Sequence, residues 1–200
     1  MMTEYEKMMA GLAHLPAKKE LKDLRRRARE ILFEFNRTSP NDDIKQNILL
    51  RKLFGQADET TSVNEPFHCD YGVNIKVGKN FFANYHCVML DNGGITIGDN
   101  VMFAPNVSLY TVGHPLDTDL RNEGWEQAKP ITIGNNVWIG GNVVILPGVT
   151  IGDNVVVGAG SVVTKDLPSN VLALGNPCRV VREITEQDRT HYIRTYQPDL

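Results

Sequence analysis

A six-residue repeat runs through the middle and the C-terminal part of this chain. Read in sixes from Ile133, the blocks are IGNNVW, IGGNVV, ILPGVT, IGDNVV, VGAGSV and VTKDLP, and the same pattern runs from Ile97 to His114. A period of six matches neither the 3.6 of an α-helix nor the 2 of a single strand. Hexapeptide repeats are typical of a parallel β-helix, a coil of short strands that needs several stacked turns and capped ends.

The position of each residue type within the repeat fits such a coil. The opening Ile or Val residues would stack inward from turn to turn, while Gly, Asn and Asp form the corners because they tolerate positive φ. We predict the coil from Phe67 to Leu167, in about five turns. One segment, Pro115 to Thr132, leaves the repeat, and His114 stands at its base. A polar loop beside a histidine on a regular scaffold is where we expect chemistry.

Three regions are predicted along the chain, in a fold that is mainly β. They are a helical cap over residues 1–58, a hexapeptide-repeat β-helix over 59–170 with a loop inserted at about 113–130, and a C-terminal cap and tail over 171–200. Within the cap, one predicted helix carries its apolar residues on one face, namely Leu21, Leu24, Ala28, Ile31, Leu32 and Phe35. These helices would cover the unpaired edge of the first coil. The tail is predicted to be a short helix or partly disordered.

Composition argues against several classes of partner. The net charge of −3 gives no electrostatic footprint for nucleic acid. We expect no membrane partner, because no segment approaches a membrane-spanning length and the first residues lack the apolar run of a signal peptide. The three cysteines, Cys69, Cys87 and Cys178, lack metal-ligand spacing. They are predicted to be buried thiols of a protein in the reducing cytoplasm.

A set of ordered motifs resembles one family. The motifs are CDYG at 69–72, FFANYHCVMLD at 81–91, GHP at 113–115, ITIGNNVWIGG at 131–141 and GNPCRV at 175–180. Together they resemble the maltose and galactoside O-acetyltransferases of the hexapeptide-repeat superfamily, with the maltose type as the nearer branch. The resemblance implies a left-handed parallel β-helix with N-terminal capping helices. It also implies a homotrimer with active sites between subunits, acetyl-CoA as cosubstrate in a groove between coils, a sugar acceptor and no metal.

The resemblance assigns catalytic roles to three residues. An alcohol is a poor nucleophile at neutral pH, and a neutral imidazole suits the task of taking its proton. His114 is predicted to be this base, with direct attack of the hydroxyl oxygen on the thioester. Asn84 matches the family's asparagine that stabilises the tetrahedral oxyanion. Glu126 matches an acidic residue of the maltose type and is predicted to orient His114 or bind the acceptor, with a solvated loop carboxylate as the alternative.

The predicted acceptor site rests on short polar side chains and one aromatic ring. Asp70 and Asn84 match the family's acceptor contacts. Asn92 stands where galactoside-type enzymes have a second aspartate, and Asp91 beside it is predicted to share that role. Trp125 is unusual for the family and is predicted to stack on a sugar or an apolar acceptor.

Two further positions depart from the family's pattern, so the pattern does not decide which acceptor is acetylated. Pro16 stands where the galactoside enzymes place an N-terminal acceptor aspartate, and Lys18 lies where maltose-type enzymes have an acidic residue nearby. We predict a maltose, glucose or galactoside acceptor. The alternative is the same chemistry on a non-sugar acceptor such as an antibiotic or serine.

Acetyl-CoA binding is predicted from small residues that let the pantetheine lie close to the backbone and from cations that face its phosphates. The matching positions are Gly141, Ala159, Thr164, Lys165, Arg179 and Arg182, and Trp138 is predicted to flank the same groove. For the two arginines the alternative is ordinary surface cations. For the tryptophan it is packing.

Two other functions are compatible with a hexapeptide coil. A γ-type carbonic anhydrase needs three histidines around zinc, but His68, His86 and His114 show no short spacing. A binding solenoid without catalysis is the second alternative. The loop with His114, together with Asn84, favours an enzyme.

Overall fold

The computed structural model describes residues 1–196 as a coil of short parallel strands with helices at its N-terminal end. The helices are α1 (Glu4–Met9), α2 (Lys19–Phe35), α3 (Asp43–Leu53), α4 (Thr118–Asn122) and α5 (Glu186–Tyr196). The strands are β1 (Ser62–Val63), β2 (His68–Cys69), β3 (Ile75–Val77), β4 (Phe82–Ala83), β5 (Val88–Leu90), β6 (Ile95–Ile97), β7 (Met102–Phe103), β8 (Ser108–Tyr110), β9 (Val112–Gly113), β10 (Gln127–Ala128), β11 (Ile131–Ile133), β12 (Trp138–Ile139), β13 (Val144–Ile145), β14 (Thr150–Ile151), β15 (Val156–Val157), β16 (Val162–Val163), β17 (Val171–Gly175) and β18 (Cys178–Glu183). No helix within residues 1–196 is both long and apolar enough to span a lipid bilayer.

The coil has three flat faces. The first face contains β3, β6, β11 and β14, the second contains β1, β4, β7, β12, β15 and β17, and the third contains β2, β5, β8, β13 and β16. Neighbouring strands within each face are parallel. We call the turns from the first face to the second the first corner, those from the second to the third the second corner, and those from the third to the first the third corner. This arrangement confirms the predicted parallel β-helix with N-terminal helices.

The coil is longer than the sequence predicted. About five turns were expected from Phe67, whereas the structure has about six. The additional turn begins at Gln56, which pairs in parallel with Lys76 on the first face, and continues through β1. This segment has no hexads, so only its backbone pairing with the next turn shows that it belongs to the coil.

Apolar residues in register fill the interior of the coil. On the first face two stacks run across the turns, Ile75–Ile95–Ile131 and Val77–Ile97–Ile133–Ile151. All seven side chains are at most 3% exposed. Burial of an Ile or Val side chain contributes about 1.5–3 kcal/mol, so the opening residue of each hexad stabilises the contact between turns.

Asparagines form the first corner. Asn80, Asn100, Asn136, Asn154 and Asn170 all have φ between 53° and 63°, a left-handed conformation that Asn tolerates better than most residues. The Nδ2 of Asn100 donates to the Oδ1 of Asn136 at 3.2 Å, and Asn154 and Asn170 make the same contact at 3.0 Å. The corner residue of the hexad is therefore selected by backbone conformation.

Replacement of a corner asparagine should reveal this backbone requirement. Asn136→Ala is expected to destabilise the protein by about 1–2 kcal/mol, because φ at this position is 56° and a Cβ without a compensating polar group makes that conformation costly. Asn136→Gly, the matched control, also removes the side-chain hydrogen bond but adopts positive φ freely. Urea unfolding at one fixed protein concentration measures both variants. Equal losses for Ala and Gly would contradict the conformational explanation.

The N-terminal helices close one end of the coil. The buried residues of α2 are Leu21, Ala28, Ile31, Leu32 and Phe35, as predicted, while Leu24 is half-buried. The C-terminal half of α2 and the buried leucines of α3 join the same core as the first turns of the coil. The predicted capping role of these helices agrees with this packing.

A hairpin ends the coil on the second face. β17 continues the parallel stack on β15, and β18 folds back antiparallel across the turn at Gly175. The following segment forms the exposed helix α5. Of the tail that was predicted to be a short helix or partly disordered, residues 186–196 are helical, and residues 197–200 lie outside the described residues.

Candidate active site

The break in the repeat lies at the third corner, between β8 and β11. The short strands β9 and β10 pair antiparallel, with Gly113 opposite Gln127. The intervening loop contains α4. His114 directly follows β9 and Glu126 directly precedes β10, so the pairing brings these two side chains together at the base of the loop.

The His114 ring has one nitrogen in a hydrogen bond and one without a hydrogen-bond partner among residues 1–196. Its Nδ1 lies 3.2 Å from the carbonyl oxygen of Trp125, and its side chain is 53% exposed. A carbonyl oxygen only accepts hydrogen bonds, so we assign the proton of the neutral ring to Nδ1. The lone pair of Nε2 is then available as a base. The Oε1 of Glu126 lies 3.9 Å from Nε2, too far for a hydrogen bond but close enough to stabilise a protonated ring.

A cavity of about 560 Å³ opens beside this histidine. It brings together residues predicted for catalysis, acceptor binding and acetyl-CoA binding, and its lining includes His114, Glu126, Trp125 and Thr164. The indole N–H of Trp125 donates to the Glu123 carboxylate at 3.0 Å, which fixes the ring within the loop. The cavity is large enough for a small ligand.

Sequence reasoning missed one residue of this site, His14. It lies in the linker between α1 and α2, its side chain is 0% exposed, and its Nε2 is 3.5 Å from the Oε2 of Glu126. The backbones of His14 and Glu126 also exchange two hydrogen bonds, of 3.0 and 3.1 Å. Glu126 is only 15% exposed, so the predicted alternative of a solvated carboxylate does not fit. No motif marks His14, and its position depends on packing between distant segments.

Asp91 occupies the third corner below the loop. The side chain is fully buried, and its carboxylate accepts from the backbone N–H groups of Tyr71 at 2.8 Å, Asp70 at 3.2 Å and Asn74 at 3.3 Å. Burial raises the pKa of Asp91 to about 7, although these backbone bonds oppose the shift. The predicted contact of Asp91 with an acceptor stays a prediction. In this structure the carboxylate holds the 70–74 turn.

The buried Asp91 should make stability depend on pH. Its pKa is about 7 in the folded state and 3.8 unfolded, so the folded chain retains this proton longer as the pH rises. Stability from this group is fully present below pH 4 and is lost between pH 4 and 7, by at most about 4 kcal/mol. Asp91→Asn removes the titration, although its amide adds a constant, pH-independent cost. Urea unfolding of both proteins from pH 4 to 8 should show a difference that changes with pH, and a flat difference would contradict the assignment.

Asp70 and Asn92 lie near Asp91 but differ in accessibility. Asp70 is half-buried and lines a separate depression with Arg29, Arg37 and other residues. Burial raises the pKa of Asp70, and the nearby Arg25 opposes the shift. Asn92 is 3% exposed, and its Oδ1 has no hydrogen-bond partner within residues 1–196. The predicted acceptor contacts of Asp70 and Asn92 stay predictions.

Three other predicted site residues lie above one another at the second corner. Asn84 follows β4, Gly141 follows β12 and Ala159 follows β15. The Oδ1 of Asn84 accepts from the N–H of Tyr85 at 2.8 Å. Its Nδ2 has no hydrogen-bond partner in the described part of the chain, so it can donate to a ligand.

His114 and Asn84 are therefore not neighbours within one chain. Asn84 is at the second corner and His114 at the third, at opposite edges of the third face. Gly141 and Ala159 share a corner with Asn84, whereas Thr164 shares one with His114. The predicted site residues of one chain thus lie at two different corners.

The predicted phosphate-binding cations are dispersed. Lys165 is exposed at the third corner, next to Thr164, while Arg179 and Arg182 lie on β18. Arg182 forms an ion pair with Asp188 of α5, with nitrogen–oxygen distances of 2.9 and 2.5 Å, and this contact lowers the pKa of Asp188 to about 2. Trp138 is half exposed on the outside of the second face, beside Met102. The structure therefore does not gather these residues in one chain.

The histidines considered for zinc lie apart. His68 is on the third face, His86 at the second corner and His114 at the third. Within residues 1–196 no three His, Cys, Asp or Glu side chains are grouped as metal ligands. The zinc-enzyme alternative therefore has no ligand set in the part of the chain that is described.

Two family descriptions match separate parts of this chain. Residues 130–165 match the bacterial transferase hexapeptide family, described as six repeats. Residues 7–58 match the maltose acetyltransferase hexapeptide capping motif. The first match covers β11 to β16, and the second covers the end of α1 together with α2 and α3.

Whole-length relatives identify the family. The galactoside O-acetyltransferase of Escherichia coli K12 is 46% identical over 192 residues, which cover 96% of this chain and 95% of that protein. The crystal structure of a maltose O-acetyltransferase from Clostridium difficile 630 is 52% identical, with a TM-score of 0.91 and coverage of 92% of this chain and 98% of that one. The chain belongs to the maltose and galactoside O-acetyltransferase family. The resemblance noted in the sequence is thereby confirmed.

A further solved structure of this acetyltransferase family contains coenzyme A. It is described as a galactoside acetyltransferase in complex with coenzyme A, it is 45% identical with a TM-score of 0.87, and the match covers 94% of each chain. Membership of an acetyltransferase family favours an enzyme over the solenoid without catalysis. The roles of individual site residues in this family member stay predictions.

Proposed function

We propose that this chain transfers the acetyl group of acetyl-CoA to a hydroxyl group of a sugar, by direct attack with His114 as the general base. The observation that carries the proposal is the state of the His114 ring: Nδ1 is held by the Trp125 carbonyl, and Nε2 is free beside the cavity. This is the geometry that a base needs for an incoming hydroxyl.

In the proposed reaction His114 carries the proton from the acceptor hydroxyl to the CoA sulfur. Nε2 of His114 takes the acceptor proton as the hydroxyl oxygen bonds to the thioester carbonyl carbon. The resulting tetrahedral intermediate carries one negative oxygen. When it collapses, the carbon–sulfur bond breaks and Nε2 returns the proton to the CoA sulfur. Glu126, 3.9 Å from Nε2, stabilises the imidazolium between these steps.

The oxyanion would be stabilised by Asn84 of a neighbouring subunit. Its Nδ2 is free to donate, but it lies at a different corner from His114 of the same chain. A homotrimer in which the second corner of one subunit packs against the third corner of the next would bring Asn84 and His114 together. Cyclic symmetry produces three equivalent sites in this way.

The same assembly would complete the acetyl-CoA site. Two sets of residues would then face each other across the subunit interface: Gly141 and Ala159 from one subunit, and Thr164 and Lys165 from another. A Cβ added to Gly141 would lie 3.3 Å from the Pro105 carbonyl oxygen, so glycine keeps this corner flat. A relative in complex with coenzyme A supports this choice of cosubstrate.

A sugar acceptor is supported by the relatives and by the cavity lining. Both the galactoside and the maltose enzymes are named for sugars. Trp125 supplies an aromatic surface and Glu126 a hydrogen-bond acceptor at the same cavity, a combination that suits a ring with hydroxyl groups. Asp70 and Asn92 are proposed as further polar contacts to the acceptor, from below the loop.

A panel assay tests this function. CoA release from acetyl-CoA is measured with maltose, glucose, an alkyl galactoside, serine and chloramphenicol, using His114→Ala as the blank, and light scattering gives the mass of the assembly. A His114-dependent signal on a sugar with a trimer mass is the expected result. A signal only on serine or chloramphenicol would overturn the sugar assignment. A monomer with full activity would overturn the shared site.

A further inference from the structure

We propose that His14 is a positioning residue for the catalytic base: its buried imidazole shares a proton with Glu126 and thereby sets how strongly that carboxylate acts on His114. The inference rests on the proposed function in taking His114 as the base. It adds a residue from the N-terminal cap to the site in the loop.

The first observation is a pair of buried polar atoms that face each other. The Nε2 of His14 and the Oε2 of Glu126 are both buried, and neither has a hydrogen-bond partner in the described part of the chain. They lie 3.5 Å apart. A buried polar atom without a partner is costly, and each of these two atoms faces the other as a candidate partner for a shared proton.

The second observation fixes where a proton must lie. The Nδ1 of His14 is 3.3 Å from the carbonyl oxygen of Leu12, an atom that only accepts hydrogen bonds, so we assign a proton to Nδ1. If the ring were neutral and Glu126 ionised, the lone pair of Nε2 would face a carboxylate oxygen without a hydrogen between them. The pair therefore holds an additional proton. It is either imidazolium with carboxylate or imidazole with carboxylic acid.

The third observation is that the backbone holds this pair rigidly. His14 N–H donates to the Glu126 carbonyl at 3.0 Å, and Glu126 N–H donates to the His14 carbonyl at 3.1 Å. The side-chain amide of Gln127 also donates to the Gly11 carbonyl at 3.1 Å. The linker between α1 and α2 is thus joined to the base of the loop, and His14 cannot move away from Glu126 independently.

The consequence for catalysis is electrostatic. Glu126 turns Oε2 toward His14 and Oε1 toward His114, at 3.5 and 3.9 Å respectively. A lone carboxylate so near to His114 would favour its protonated form, which cannot act as a base. With the shared proton, the His14–Glu126 pair has no net charge. His114 is then available as a neutral base at lower pH.

Other charged groups surround the pair and remain in place in the variants below. Glu4 of α1, whose pKa is lowered mainly by a hydrogen bond from Lys7, accepts from the N–H of Leu15 beside His14. Asp70 faces Glu126 from the turn after β2, and Arg25 of α2 lies near Asp70.

Lys129 also lines the cavity, next to β10. All of these charges are present with and without His14. The difference between the proteins therefore reports the His14–Glu126 proton.

The pH dependence of turnover tests the proposal. kcat/KM is measured from pH 5.5 to 9 for wild type, His14→Leu, His14→Gln and the double variant His14→Leu/Glu126→Gln. In His14→Leu the acidic limb should move to higher pH by about one unit, the scale of a neighbouring carboxylate. The loss should therefore approach tenfold on the acidic limb and be small at pH 9. In His14→Gln the amide still donates to Glu126 but carries no charge, so the same shift is expected with better activity at high pH.

The double variant separates positioning from structure. With Gln at position 126 no carboxylate faces His114, so the shift caused by His14→Leu should disappear. Met8→Leu, in the buried face of α1, serves as a matched packing control and should leave the profile unshifted. A uniform loss of activity at all pH values in His14→Leu and His14→Gln would mean a purely structural histidine and would overturn the proposal.

A second readout does not require turnover. The ring signals of the five histidines are followed by NMR against pH, with His114 assigned from the His114→Ala protein. The pH at which the His114 signal is half-shifted should rise by about one unit in His14→Leu and return in the double variant. An unchanged value would overturn the role of His14 even if the acetyltransferase works. A shifted value with no transfer to any acceptor of the panel would uphold it while the proposed acceptor fails.

Discussion

Replacement of His114 by Ala is expected to lower kcat by at least about 100-fold, while the affinity for acetyl-CoA stays close to that of the wild type. General base catalysis contributes about 10²- to 10⁴-fold, and in this structure His114 is the histidine that combines a free Nε2 with exposure at the cavity. The ring makes no hydrogen bond that supports the coil, so folding should be unaffected. Steady-state kinetics with the best sugar, together with acetyl-CoA binding by calorimetry, measures the two quantities separately.

Two controls test whether the loss of turnover is specific to the His114 side chain. His191→Ala removes an exposed histidine of α5 that lies away from the cavity and should leave kcat unchanged. Added imidazole should restore part of the activity of His114→Ala, because a free base can occupy the vacated space. Turnover of His114→Ala within a factor of about three of wild type would remove this residue from the role of base.

Mixed trimers of two inactive variants should recover activity. Asn84→Ala is expected to lower kcat by about 10²- to 10³-fold, the scale for one oxyanion donor. Because Asn84 and His114 stand at different corners, each site would use one residue from each of two subunits. A mixed trimer of His114→Ala and Asn84→Ala subunits then has one intact site among three. Random reassembly of equal amounts should restore about a quarter of wild-type activity.

The complementation experiment has two controls. Mixing the variants without unfolding and refolding should restore nothing, because subunits do not exchange. Refolding Asn84→Ala with the double variant His114→Ala/Asn84→Ala also leaves no intact site. Native mass spectrometry with differently tagged subunits establishes that mixed trimers formed. If they form and remain inactive, then Asn84 and His114 do not act in one intersubunit site.

Much of the candidate site could be located from the sequence, because the loop follows from a local break in the repeat. The hexad break identified the loop, and a loop that returns to the same corner must bring its two ends together, which places His114 near Glu126. The carbonyl that fixes the His114 tautomer belongs to Trp125, which was predicted only as an acceptor-stacking ring. Backbone atoms of a loop carry no sequence signal. The hydrogen bond between this carbonyl and His114 could therefore not be predicted from the sequence.

Two features of the structure depend on packing that the sequence pattern does not show. Asp91 was expected at an acceptor, but the 70–74 turn closes over it and takes up its carboxylate. The first turn of the coil was only partly predicted, since Gln56 and β1 pair by backbone without hexads, ahead of the repeat that was counted from Phe67. In both cases the deciding contacts join segments that are one turn of the coil apart. A pattern within a single turn does not contain them.

The parallel coil, the corners, the inserted loop and the family follow from the sequence alone, because the six-residue steric pattern and the ordered motifs are local properties of the chain. The structure was needed to show that His14 meets Glu126, that Asn84 and His114 occupy different corners, and that Arg182 pairs with Asp188. Those outcomes depend on how the cap, the loop and the tail fold back onto the coil. The physical reason is that long-range contacts follow from the summed packing of many side chains, whereas the repeat follows from the conformational preference of each residue at its own corner or face.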